Sequence, residues 1–301
     1  MTRFNHGLVV ILILLAAGLM SGADVFSGRP LETHEDFVAQ TSREKLATGD
    51  PLVPTFGGER RLEKPPLMYW VVAGLGLAAG ERDIPAWVAR APSMVATVFL
   101  AWAAIAIGAL VYDRRTALLS GGIFATCVGV FAYGGNARPE MIYAALTTAS
   151  LYGFLRASTA WVAPARVDRP PESVPLPRST AWLVFAWIAF ALAILAKGPQ
   201  LPALVLGGWT VWLVHCGGWR GWARATAPLL GLAVVTAVAA PWFVLVALRE
   251  DGALAFWSNQ LVGLRFKSDG AGGGVLLFLG RWLLEFIKPD YLVHLVHALL
   301  P

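Results

Sequence analysis

Residues 66–80 read PLMYWVVAGLGLAAG, an apolar run that follows Pro65 and begins on Pro66. Crossing about 30 Å of hydrocarbon takes roughly 20 helical residues. This run is shorter than that, and is expected to lie along the membrane surface as a juxtamembrane helix. Its reading decides the topology because the surrounding chain is lipid-like. Of 301 residues, 57% are hydrophobic and only 14% are charged, with a mean hydropathy of +0.61. A soluble domain of this size does not tolerate that balance, so the expected fold class is an all-α polytopic membrane protein.

Apolar runs that could cross the bilayer occur near 7–25, 86–111, 117–133, 141–160, 181–196, 199–215 and 225–248. Short loops rich in Lys and Arg mark the cytoplasmic side. Arg114 and Arg115, the Pro-rich linker 162–180 with Arg166, Arg169 and Arg178, and Arg220 with Arg224 are therefore expected to share the cytoplasm with Arg3. Between 7–25 and 86–111 the chain then leaves and returns only once, which excludes 66–80 as a crossing. Four segments fall on the extracytoplasmic face: 26–85, 133–140, 196–200 and 249–274. The first run has a basic start and small residues after it, as in a cleaved leader. An uncleaved first span is expected, since further spans follow.

The net charge of +5 is spread between apolar runs and forms no single patch. That excludes a nucleic-acid surface and leaves membrane lipids as the expected surroundings. Cys127 and Cys216 have neither disulfide nor metal-ligand spacing and are expected to pack. The span centres are read as free of Asp, Glu, Lys and Arg, which counts against a transporter or channel with a midplane site.

The polar residues collect in the outer segments. Thr33 is expected to cap a helix, with Asp36 three residues on; Glu32, His34, Glu35 and Asp36 form an acidic start that the helix dipole alone would favour. In RRLEKPPLMYW (residues 60–70), Glu63, Lys64, Tyr69 and Trp70 read either as interfacial anchors or, together with Arg138, Glu140 and Lys197, as a charged site above the lipid. In such a site cations would bind a phosphate while a carboxylate accepts a proton.

HEDFVAQTSREKLATGDPLVPTFGGERRLEKPPLMYW (34–70), DRRTALLSGG (113–122), NARPEMIYAAL (136–146) and LAILAKGP (192–199) occur in that order. The sequence resembles the GT-C glycosyltransferases of the aminoarabinose transferase and protein O-mannosyltransferase type over about residues 30–266. The resemblance implies a GT-C-like helix bundle with extracytoplasmic juxtamembrane helices. It also implies transfer of a sugar from a polyprenyl-phosphate carrier to a lipid, protein or glycan acceptor, with inversion. Glu35 is then expected as the base, with His34 as its hydrogen-bond partner or as a base itself, imidazole being the side chain that exchanges protons most readily near neutral pH. Glu140 supports the site. Lys64, Arg138, Lys197 and Arg265 are expected at the carrier phosphate, with Glu63, Asp36 and Tyr69 in support. Three positions depart from the family pattern: His34 where Asp is usual, Phe37 where Arg is common, and Glu140 for Asp.

No metal ligand set is assigned, although acids beside a phosphate could hold Mg²⁺ or Mn²⁺. The expected membrane module is 1–266. Beyond it, 267–301 reads as a flexible loop and an interfacial amphipathic tail, in either a shortened chain or a short family member. The expected location is a bacterial inner membrane, with lipid A or protein glycosylation as the expected process. A flippase for a lipid-linked precursor and an inactive membrane subunit are the alternatives.

Overall fold

In the computed structural model the described residues are 6–158 and 179–259, and their regular structure is helical apart from one small hairpin. Helix α1 (His6–Val25) turns Leu8, Ile11, Leu12, Leu15 and Leu19 outward, each more than half exposed, and buries Ala17, Ser21 and Gly22. Small residues allow backbones to approach closely in lipid. The Ser21 hydroxyl is satisfied internally, donating to the Ala17 carbonyl at 2.7 Å. Helix α4 (Ala86–Val111) is the hub, packing against α1, α5 (Arg114–Ala125) and α7 (Glu140–Ala157). Helix α8 (Thr180–Lys197) packs on α7, and α9 (Gln200–Thr226) follows it.

Two apolar runs differ from expectation. The segment 117–133 is not one helix: α5 ends at Ala125, Cys127 is extended (φ −74°, ψ 148°), and α6 (Val128–Tyr133) begins anew. At about 1.5 Å per residue, α5 alone reaches roughly 18 Å, short of the bilayer. The Thr126 hydroxyl draws the Gly122 carbonyl to 2.9 Å at this break. In α9 a first helical piece ends at a kink at Gly218 (φ +63°), close to the expected end near 215, and a second piece runs on to Thr226, so Arg220 and Arg224 ride on helical turns and not on a loop. Beyond it, α10 (Pro228–Val238) and α11 (Ala240–Arg249) bend by 41°. A compact unit ends at Val246; the described residues after it carry the short helix α12 (Ala253–Ser258). The expected boundary at 266–267 and Arg265 lie outside the described residues.

The helices α7 and α8 touch at Gly153, where an added Cβ would lie 2.9 Å from the Ala186 Cβ. Trp102, Tyr152, Trp182 and Phe185 continue this contact as successive edge-to-face pairs with centroids 5.4–5.6 Å apart, a preferred aromatic geometry.

The expected juxtamembrane run is helix α3 (Leu67–Ala79), 13 residues long. It packs against α2 (Thr33–Thr48) through Val38, Ala39, Met68, Tyr69 and Val72, with Ile84, Val88 and Ala137 closing the cluster. Between α2 and α3, strands β1 (Thr55–Phe56) and β2 (Glu59–Arg60) form a hairpin. Its turn needs Gly57 and Gly58 because both have positive φ (+63° and +80°). The Glu44 carboxylate on α2 accepts from both glycine N–H groups, at 2.7 and 3.3 Å, and fastens the hairpin down.

The N-cap of α2 is Glu32, one residue before the expected Thr33, and Glu35 closes the capping box by accepting from the Glu32 N–H at 3.0 Å. The reason lies in the tertiary structure. Glu35 is fully buried and forms a two-pronged ion pair with fully buried Arg90 of α4, at 2.8 Å on each carboxylate oxygen. Arg29 lies 3.2 Å from the same carboxylate, and the Ala137 N–H donates to it at 3.0 Å. The remaining Arg90 donors reach the carbonyls of Asp24, Arg29 and Pro30. The span 86–111 therefore does carry a charge, placed in its first turns. Burial alone would raise the Glu35 carboxyl, but the Arg90 guanidinium and the Glu32 and Ala137 N–H groups outweigh it and hold it at about 2.

Breaking a buried pair leaves an unpaired charge at about 3–5 kcal/mol. Glu35→Gln and Arg90→Met are each expected to lose that much stability in detergent, with the double replacement less damaging than the sum. Because the folded carboxyl lies below its ordinary value of 4.5, its contribution is present above that pH and is lost as pH falls toward about 2. A thermal-unfolding midpoint that drops over this window in wild type, and not in Glu35→Gln, is the expected result. Gly153→Leu is expected to cost about 1–3 kcal/mol by forcing α7 and α8 apart, read from the same unfolding curves.

Candidate active site

The end of the bundle that holds Arg90 also holds the first residue of α7, the last residue of α8 and the first of α9. Tyr143 ties these together: its hydroxyl donates to the Gly198 carbonyl at 2.9 Å and accepts from the Leu201 N–H at 2.8 Å. Gly198 bends sharply there (φ +112°), and the turn sets Lys197 beside Glu140, Nζ to Oε1 2.9 Å. Each of the two side chains is 31% exposed. On the other side, the prolines 65 and 66 carry the chain from the hairpin into α3, which fixes Lys64 just before the first turn.

An open cavity of about 140 Å³ lies between these elements. His34, Lys64, Tyr69, Arg138 and Glu140 line it. Residues separated by more than a hundred positions thus meet in one place. Burial pushes the Lys64 ammonium down from its ordinary value; neighbouring Lys197 and Arg61 push the same way, and Glu140 and Glu63 oppose them. Burial raises the Tyr69 phenol. Arg138 stands 5.9 Å from the Tyr133 ring. Its Nε, the Nε of Arg61 and Oε2 of Glu140 are buried without a hydrogen-bond partner among the described residues. Buried polar atoms are rarely left so, and here three such atoms belong to residues that line one cavity. An anion entering it would meet cations whose mutual repulsion it relieves.

The expected site residues separate as follows. His34, Lys64, Tyr69, Arg138 and Glu140 come together, and Lys197 joins them through Glu140. Glu63 stands at the rim, paired with Arg61 at 3.0 Å. Glu35, one residue from His34, is not part of the lining and spends its oxygens on Arg90, Arg29 and two backbone N–H groups. Asp36 is exposed and outside the lining. Two residues escaped the sequence reading, Arg61 and Arg90, while Phe37 enters it only as a departure from the family pattern. Arg90 had a usable signal, a lone charge within an apolar helical run, which in such a setting needs a partner.

A divalent cation fits this cavity poorly. Its single lining carboxylate, Glu140, is already paired with Lys197, and three cationic side chains surround it. Among the described residues no three of His, Cys, Asp or Glu are grouped to hold a metal ion.

A family profile described as dolichyl-phosphate-mannose-protein mannosyltransferase matches residues 63–162, taking in Lys64, Arg138 and Glu140. The undecaprenyl phosphate-α-4-amino-4-deoxy-L-arabinose arabinosyl transferase of Pseudomonas savastanoi is 28% identical over 287 residues, 90% of this chain and 47% of that protein. ArnT from Cupriavidus metallidurans, in its crystal structure bound to undecaprenyl phosphate, superposes with a TM-score of 0.68 at 23% identity, over 90% of this chain and 47% of that one. The Archaeoglobus fulgidus oligosaccharyltransferase shares the fold more distantly, with a TM-score of 0.59 at 15% identity, over 100% of this chain and 40% of that one. The chain thus spans less than half the length of the relatives it matches. In its fold it is a GT-C membrane helix bundle, akin in sequence to the aminoarabinose transferases and protein mannosyltransferases.

Proposed function

We propose that this chain is the membrane module of a glycosyltransferase that moves a sugar from a polyprenyl-phosphate carrier to an acceptor at the extracytoplasmic face, with inversion. The observation that carries this reading is the meeting of His34, Lys64, Arg138 and Glu140 in one cavity. The names of its relatives support the carrier: one uses undecaprenyl phosphate-linked aminoarabinose and another binds undecaprenyl phosphate. The side of the membrane is supported by charge. Arg114 and Arg115 follow the far end of α4, and Arg220 and Arg224 lie at the far end of α9. Such clusters favour the cytoplasm and leave the cavity outside.

In this reading Lys64 and Arg138 bind the carrier phosphate, and Lys197, oriented by Glu140, adds a third positive charge nearby. An acceptor oxygen attacks the anomeric carbon as the bond from that carbon to the phosphate oxygen breaks. The carrier leaves as its phosphate, and the acceptor proton passes to His34. The transition state resembles an oxocarbenium ion, as in glycoside hydrolysis. The cations stabilise the charge that builds on the departing phosphate. Glu35 acts through His34, by fixing the first turn of α2, and does not take the proton itself.

Membranes containing the full chain, supplied with radiolabelled undecaprenyl-phosphate sugars, test this. Label is expected to pass to an acceptor. Lys64→Ala is expected to slow transfer about 10²–10³-fold and His34→Ala about 10²–10⁴-fold, while Glu35→Gln mainly lowers the amount of folded protein. Transfer untouched by both of the first two replacements would refute the site. Movement of the labelled carrier across the membrane without covalent transfer would point to a flippase.

A further inference from the structure

We propose that Arg61 is a further ligand of the carrier phosphate, and that Phe37 is the residue that positions it; this rests on the carrier reading above. Arg61 lines the cavity together with Lys64 and Arg138. Its place is fixed twice. Its backbone N–H donates to the Pro54 carbonyl at 2.8 Å, at the foot of the hairpin. Its guanidinium lies 4.0 Å above the centre of the Phe37 ring and 5.9 Å from that of Phe56. Those two rings pack edge to face at 4.9 Å. Cation–π contact holds a guanidinium at a set height and angle without using its hydrogen-bond donors.

Part of the fork is engaged, since the guanidinium also hydrogen-bonds the Tyr69 hydroxyl, but not all of it. One terminal nitrogen meets Glu63 at the rim, whose side chain is 43% exposed, while that of Arg61 is 16% exposed. Nε is buried and unpartnered among the described residues. A planar fork with an unmet donor suits the spaced oxygens of a phosphate. Phe37 occupies a position where relatives of this type commonly carry Arg. The cation reaches the cavity here from the hairpin instead, and stacks on the ring that stands in the arginine's place. A rivet joining the hairpin to α2 would also explain the stacking, but it would leave no unmet donor at the cavity.

The two roles differ in what they do to ligand selectivity. Full-length protein in lipid nanodiscs is titrated with undecaprenyl phosphate and, separately, with undecaprenol, which lacks the phosphate. Wild type is expected to prefer the phosphate, and Lys64→Ala to lose that preference. Arg61→Gln is expected to weaken undecaprenyl phosphate about tenfold to a hundredfold, the size of one charge-assisted hydrogen bond, and to leave undecaprenol binding unchanged. Phe37→Leu is expected to weaken the phosphate carrier several-fold in wild type and to have no further effect on the Arg61→Gln background, because coupled residues are non-additive.

Wild-type affinity in Arg61→Gln, with Lys64→Ala impaired, would overturn this assignment and leave the parent reading standing. Equal loss of both carriers would make Arg61 a rivet and overturn it as well. Additive effects of the two replacements would remove Phe37 from the positioning role. A wild type that binds both carriers alike would refute the parent reading and this one with it. Should Arg61→Gln fail to fold, Phe37→Leu decides alone: loss confined to the phosphate carrier supports the proposal, and loss of both or of neither overturns it.

Discussion

Removing a carboxylate and a guanidinium entirely from water is among the costlier things a fold can do, and here Glu35 and Arg90 are both removed. Their mutual attraction offsets that cost only if every other lone pair and N–H group is also met. This condition recruits partners from far along the chain. The last turn of α1 contributes the Asp24 carbonyl and the segment just after it Arg29 and two more carbonyls, α2 contributes its own cap, and the loop before α7 contributes the Ala137 N–H. Four segments are thereby locked in one relative arrangement, because none can shift without leaving a buried charge unmet. The pair's value lies in this register more than in net stabilisation.

What the register sets is the cavity. His34 precedes Glu35 and Arg138 follows Ala137, so each lining residue is one peptide away from a group held by the ion pair. On the opposite side, Tyr143 and the bend at Gly198 do the same for Lys197 and Glu140. Phe37 of α2 and Arg61, which follows the hairpin, supply the third wall, with Phe56 of the hairpin packed behind Phe37. The result is a half-buried place with more positive than negative charge, at the end of a bundle whose long helices are otherwise apolar. A phosphate attached to a long lipid suits both features, its charge at the helix ends and its chain in the hydrocarbon.

Much of this fold was legible from the chain. The shortness of 66–80, the spans at α1, α4 and α8, and the gathering of polar residues before and after them follow from run length and composition. The cationic lining residues Lys64 and Arg138 were also visible, because charge beside apolar helices stands out. Other features were not. The break at Thr126 and Cys127 interrupts a run that is apolar throughout, so hydropathy passes over it. The second helical piece that follows the kink at Gly218 is hidden by glycines and arginines that resemble a loop. Glu35 reads as a base because an acid in an outer loop is chemically able to serve, and only the tertiary contacts reveal that its oxygens are engaged by Arg90, Arg29 and two N–H groups.

The amino-acid sequence by itself determined most of the helical segments, that 66–80 is too short to cross, and which ends carry charge. These are properties of a segment and of the thickness of hydrocarbon, and need no partner. Tertiary structure alone decided which of His34, Glu35 and Asp36 would reach the cavity. Successive residues on a helix point about 100° apart, so three neighbours face three environments, and the one that is buried is chosen by an arginine 55 positions away in sequence.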